Sequence, residues 1–153
     1  MEKLVLIDGN SLLNRAYYAT PVFTSKSGLP TNGIFGFVKL LLKLISDKKP
    51  TYLAVAFDLH APTFRHEMYA DYKAGRKPMP EDLVVQVPIL KEVLSLMKIK
   101  ICELQGYEAD DIIGTLAMGR LFHNVRNKTH KVRLLKWNIV FAKLTDTASA
   151  HGP

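Results

Sequence analysis

The chain has 153 residues, 48% of them hydrophobic and 23% charged, with a formal net charge of +7. That length and balance describe one ordinary globular domain and exclude intrinsic disorder and collagen. No apolar run approaches the ~18 residues of a membrane span, the N-terminus lacks a signal-peptide core, and the lone Cys102 permits neither an internal disulfide nor a thiolate cluster.

A reducing, cytoplasmic compartment with no membrane association is therefore expected, and Cys102 reads as a small buried apolar residue. The charge is uneven. Residues 1–118 carry 14 basic against 13 acidic side chains, whereas residues 119–153 carry seven basic ones (Arg120, Arg126, Lys128, Lys131, Arg133, Lys136, Lys143) against Asp146 alone. The basicity belongs to the tail, and two compositionally different segments meet near Met118.

Residues 3–7 form a continuous apolar run too short for a helix, which predicts a strand buried on both faces. Asp8 to Ser11 supplies turn and N-cap residues before a predicted helix over Leu12–Ala19. A loop with two prolines and Gly28 follows over Thr20–Asn32. From Gly33 to Lys48, Ile34, Phe37, Val38, Leu41, Leu42 and Ile45 recur at helical spacing, with lysines on the polar side, and Pro50 ends that amphipathic helix.

Tyr52–Phe57 is a second buried strand, again followed by an aspartate, Asp58. Ala61–Pro80 is polar, basic and proline-bearing. Glu81–Met97 is a predicted helix kinked at Pro88. Lys98–Leu104 is a third, weaker strand, Gly106-Tyr107 a turn, and Glu108 opens a helix with an acidic first turn that runs to Ala117. Strand and helix alternate throughout, which predicts a parallel α/β sheet with its ligand site beyond the carboxyl ends of the strands.

Asp8 and Asp58 each end a buried strand, so a parallel sheet brings both to one edge, and Glu108, Asp110 and Asp111 arrive there by the same logic. Singly, each has an ordinary role: aspartates after strands cap turns, and acids in a first helical turn favour the dipole. Together, five carboxylates repel one another unless protons or a hard cation offset them, and oxygen-only ligands favour Mg²⁺ or Mn²⁺. Between the acids lies a basic segment with interleaved aromatics, Phe64-Arg65-His66 and Tyr72 to Lys77. Guanidinium forks match phosphate oxygens and rings accept bases, although a solvated surface loop has the same pattern, and His60 and His66 read as surface residues.

The stretches Val5–Ser11, Phe57-Asp58, Phe64–Glu67, Tyr72–Arg76 and Gly106–Asp111 resemble, in order and spacing, the N-terminal 5′ nuclease domain of bacterial DNA polymerase I, related to the flap endonucleases. The resemblance covers residues 1–117. It implies a PIN-like α/β fold, a monomeric divalent-metal phosphodiesterase, and DNA substrates with 5′ flaps, nicks or RNA primers in replication and repair. Carried over, Asp8, Asp58, Glu108 and Asp110 look like carboxylates around the first metal, with Asp111 beside them. Lys73 and Arg76 look like the cations that engage the scissile phosphate, and Arg65 like a nearby phosphate contact, with Tyr72 and Lys77 in the same nucleic-acid-binding segment.

The chain also departs from that pattern. The family has a further buried strand ending in a Thr-x-Asp-x-Asp type motif that supplies the second metal. Here Thr145-Asp146-Thr147-Ala148 offers one acid where two are called for. The sequence thus predicts a family unit over 1–117, incomplete at its C-terminal side, and a basic tail over 118–153 outside the pattern, as in a truncated fragment of doubtful turnover. Within the tail, Trp137–Phe141 has the β propensity to add a strand at the sheet edge. Two alternatives stand beside the nuclease: a non-catalytic basic nucleic-acid-binding module, and a nonfunctional truncated product. A PIN-type ribonuclease shares the strand-end acids, but the Tyr72–Arg76 segment fits the polymerase-associated nuclease better.

Overall fold

The N-terminal apolar run becomes β1 (Leu4–Asp8), in which Val5, Leu6 and Ile7 are all buried, so both faces of the strand are covered. Helix α1 (Gly9–Ala19) follows without a loop and starts three residues earlier than the sequence pattern places it. The reason is Asp8, which is the N-cap and whose side chain accepts the Ser11 amide, so the first turn already forms at Gly9. Helix α2 (Asn32–Lys48) ends with Lys49 in the left-handed conformation at φ 44°, immediately before Pro50. The computed structural model describes residues 3–59, 61–69, 72, 75, 77–126 and 140–141.

Strand β2 (Tyr52–Ala56) pairs in parallel with β1, Leu6 opposite Ala54 and Asp8 opposite Ala56. The polar segment after it is not all loop: it contains a short helix, α3 (Phe64–Met68). The kink expected at Pro88 lies instead at Val85, between α4 (Glu81–Val84) and α5 (Gln86–Leu96). The physical cause is still Pro88. It has no N–H to offer the carbonyl four residues back, at Val84, and its ring crowds that carbonyl, so it is accommodated in the first turn of a new helix.

Strand β3 (Lys100–Cys102) is three residues long and pairs in parallel with β2. Helix α6 (Ala109–Arg126) continues well past Ala117 and through the charge change near Met118. Strand β4 (Val140–Phe141) pairs in parallel with the free side of β1, Leu6 opposite Phe141, giving the order β3-β2-β1-β4. The strand expected over Trp137–Phe141 is thus present at its last two residues, and Trp137 to Ile139 lie outside the described residues.

Strand alternation divides the core. Val5, Ile7, Val55 and Phe57 face one side, against Leu13 and Phe37 of the first two helices and Leu90 of α5. Leu6, Ala54 and Ala56 face the other, where the small Ala109 and Ala117 of α6 let that helix lie close to the sheet. Parity places Asp8 on the same side as Leu6, that is, on the α6 side. A buried amide cluster braces the first layer: Gln86 accepts the Ile34 amide at 3.0 Å and donates to the Asp82 carbonyl at 2.8 Å and to Asn32 Oδ1 at 3.3 Å. Both amide side chains are fully buried, so the network ties the start of α2 to the α4–α5 corner. Among the described residues no helix is long and apolar enough to cross a membrane.

Candidate active site

Parallel strands deliver their carboxyl ends to one edge, and a cleft of about 570 Å³ opens there. Its lining includes four carboxylates, Asp8, Asp58, Glu108 and Asp110. One wall is the exposed side of α1, where Asn10, Asn14 and Tyr18 follow at intervals of four residues, with Ser11 beside them. Lys77 to Pro80 also line the cleft.

Asp8 and Asp58 are each held by a backbone amide and a neighbouring side chain. Both oxygens of Asp8 are engaged by Ser11, Oδ1 by the amide at 2.9 Å and Oδ2 by the hydroxyl at 2.6 Å. Asp58 lies two residues beyond β2; its Oδ1 accepts the Ala109 amide at 2.6 Å and its Oδ2 accepts from Asn10 Nδ2 at 3.4 Å. The capping roles expected of lone aspartates are therefore real, and the same two side chains also face the cleft. Gly9 makes this possible. A Cβ at Gly9 would sit 2.5 Å from the Phe57 ring, so only glycine lets the first turn of α1 approach the strand that carries Asp58.

Glu108 precedes α6, and its Oε2 accepts from the Tyr72 hydroxyl at 3.3 Å with Arg65 at 4.0 Å. Asp110, in the first turn of α6, is exposed at the cleft. Asp111 lies outside the cleft lining. Its carboxylate takes the Arg65 guanidinium in a fork, Nη1 at 2.6 Å and Nη2 at 2.7 Å, and also accepts the Glu108 amide at 3.0 Å. The hydrogen bond to Asp111 is the leading reason the Arg65 pKa lies well above its ordinary value, with burial opposing and the charges of Asp111 and Glu108 adding. Arg65 also stacks on the neighbouring Phe64 ring, 4.6 Å from its centre.

Of the residues singled out from sequence, the structure thus gathers Asp8, Asp58, Glu108, Asp110 and Lys77 in one cleft. It sets Tyr72 and Arg65 behind Glu108, and pairs Asp111 with Arg65. Lys73 and Arg76 lie outside the described residues, as does His60. The α1 wall was not anticipated, although Asn10, Asn14 and Tyr18 carry a readable signal: polar residues four apart on a helix that starts at a strand-end acid.

The donors in the cleft are oxygens of four carboxylates, two amides and two hydroxyls, those of Ser11 and Tyr18. Among the described residues no three His, Cys, Asp or Glu side chains stand in ligating positions about a single point. Mg²⁺-type ions need no such cage, because they retain several waters and are held through one or two carboxylates. The oxygen donors therefore fit a hydrated hard cation, which one or two of Asp8, Asp58, Glu108 and Asp110 could hold.

Residues 3–132 match the family model described as the 5′-3′ exonuclease, N-terminal resolvase-like domain. The chain is 51% identical over 114 residues to DNA polymerase I of Caldicellulosiruptor bescii and 48% identical over 116 residues to that of Bacillus subtilis. Those alignments cover 74% and 76% of this chain but only 13% of each polymerase. A 5′-3′ exonuclease of Aquifex aeolicus is 46% identical over 117 residues, 76% of this chain and 40% of that protein. Among solved structures, the T5 5′-exonuclease with bound zinc aligns with a TM-score of 0.53 at 21% identity, over 80% of this chain and 45% of that one. The bacteriophage T5 flap endonuclease in a complex with DNA and metal ions aligns with a TM-score of 0.51 at 22% identity, over 78% and 46%. The parallel sheet with its flanking helices is accordingly a PIN-like fold, and the alignments span less than half of these larger chains. Motif order, fold and the match over residues 3–132 agree, and the chain belongs to the family of the 5′-3′ exonuclease N-terminal, resolvase-like domain.

Proposed function

We propose that this chain carries the first-metal half of a 5′-3′ exonuclease and flap endonuclease centre acting on DNA phosphodiester bonds, as a monomer, in the cytoplasm. The observation that carries the proposal is the cleft in which Asp8, Asp58, Glu108 and Asp110 meet from three strand ends. An acidic cleft repels a phosphate backbone, so a divalent cation is needed to reverse the local sign before DNA can approach. We assign that cation as Mg²⁺ or Mn²⁺ on the hardness of the oxygen donors.

When bound, such an ion supplies a more acidic water and charge stabilisation at the phosphate. The chain's own residues do the rest. Asp8 and Asp58 are fixed by Ser11, Asn10 and the Ala109 amide, so their carboxylates face the cleft in set orientations. Lys77 lines the same cleft, where its charge can meet a phosphate oxygen. By family resemblance Lys73 and Arg76 of the same segment are assigned to the scissile phosphate, Arg65 to a nearby phosphate contact, and Tyr72 to the same nucleic-acid-binding segment. The proposed family unit spans residues 1–117, with 118–153 as a basic tail.

Only Asp146 stands where the family pattern calls for two acids of the second metal, so the 153-residue chain should bind one ion and cleave very slowly or not at all. The test is a 5′-labelled flap duplex incubated with Mn²⁺, alongside a direct Mn²⁺ titration. One Mn²⁺ per chain, with DNA binding that weakens on chelation, supports the proposal. DNA binding that persists after chelation and in Asp58→Ala selects a non-catalytic basic module instead.

A further inference from the structure

We propose that Asp111 is a positioning residue for Glu108 and not a metal ligand, and that it acts through its ion pair with Arg65. The inference rests on the nuclease reading for what Glu108 is positioned to do.

The carboxylate of Asp111 is already committed. It accepts two guanidinium N–H groups and the Glu108 amide. Three of the about four acceptor sites of the carboxylate are thus occupied, and the Arg65 fork engages both oxygens, which leaves Asp111 little to offer a cation. Its place on α6 agrees. Successive residues turn by about 100° around a helix, and while Asp110 faces the cleft, Asp111 is carried round to the side where α3 docks.

What the pair holds together is specific. Glu108, whose side chain is 12% exposed, has its backbone amide fixed by Asp111, its carboxylate 4.0 Å from Arg65, and the Tyr72 hydroxyl at 3.3 Å. Arg65 sits on α3, which is itself fastened to the same corner by Phe64 N–H donating to the Gly106 carbonyl at 3.2 Å and by the Phe64 and Tyr107 rings at 5.8 Å. Gly106 has φ +85°, the left-handed conformation that turns its carbonyl toward α3. One ion pair between residues 46 apart therefore ties α3 to the start of α6 beside the glutamate that lines the cleft.

The experiment is an electron paramagnetic resonance titration of the full chain with Mn²⁺, using Asp111→Asn, Arg65→Ala, their double variant and Arg65→Lys. On charge alone, deleting a cation 4.0 Å from Glu108 tightens Mn²⁺ binding. Positioning predicts the opposite sign: each single variant weakens Mn²⁺ about tenfold, the double variant is no weaker than either, and Arg65→Lys recovers part of the loss. If Arg65→Ala leaves the affinity unchanged or tightens it while Asp111→Asn weakens it, Asp111 is a ligand and the proposal is overturned. A wild-type chain that takes up no Mn²⁺ contradicts the nuclease reading, and amide exchange of the metal-free protein then decides the pair by itself. Equal acceleration at Glu108 and Ala109 in both single variants supports positioning, and unchanged exchange overturns it.

Discussion

Asp58 Oδ1 accepts the backbone amide of Ala109 at 2.6 Å, across 51 residues of sequence. The carboxylate that ends one strand thereby satisfies an otherwise unpaired N–H in the first turn of α6, the helix that brings Asp110 to the same cleft. Capping and cleft formation are one interaction here. The acids are brought together because the fold uses one of them to start the helix bearing the other.

This dual role separates two substitutions. Asp58→Asn keeps a carbonyl acceptor for Ala109 and should unfold in urea within ~0.5 kcal/mol of the parent, whereas Asp58→Ala orphans the amide and should cost ~1–2 kcal/mol. Both should lose Mn²⁺ binding. Equal stability of the two variants in urea denaturation would show that the cap carries no energy.

Asp110 offers the complementary case. It is exposed and makes no cap that the fold depends on, so Asp110→Ala should lower stability by less than ~1 kcal/mol, the scale of a helix-dipole contribution. Calorimetric Mn²⁺ titration of the same variant should nevertheless show at least tenfold weaker binding, on the order expected for a lost ligand or its support.

Gly9→Ala should destabilise by ~1–3 kcal/mol despite the ~0.5–1 kcal/mol that alanine gains over glycine inside a helix. Overpacking wins because the new methyl would lie 2.5 Å from Cε1 of Phe57, a ring that is itself fully buried. Thermal melting of Gly9→Ala with and without Phe57→Leu checks the cause: the smaller side chain should recover part of the loss.

Gln86→Leu removes the acceptor of the Ile34 amide and the donor to Asn32, leaving buried polar groups unpaired. A loss of at least ~2 kcal/mol in urea denaturation is expected, with Mn²⁺ affinity unchanged because the cluster braces the opposite layer. A stable variant would mean that the α2 and α4–α5 corner is held by apolar packing alone.

Much of this architecture is legible in the sequence, for physical reasons that can be named. Short apolar runs at 3–7 and 52–57 have no alternative to burial, and the acids that follow them fall at strand ends in any parallel sheet. The start of α1 is not legible because Asp8 works as a cap while still in the strand. The helix break falls at Val85, three residues before Pro88, because proline acts on the residues before it. The least legible feature is Asp111, which by spacing alone belongs with Asp110. Its diversion to Arg65 depends on where α3 docks, and no local pattern in Ala61–Pro80 announces that helix.

The most direct measurement is a Mg²⁺ titration followed by backbone amide NMR. The account predicts saturable shifts confined to Asp8, Asp58, Glu108, Asp110 and their immediate neighbours, with Asp47 of α2 and Glu92 of α5 unmoved. If the cleft residues stay still, or if the remote acids move as much as they do, the four carboxylates do not form a cation site.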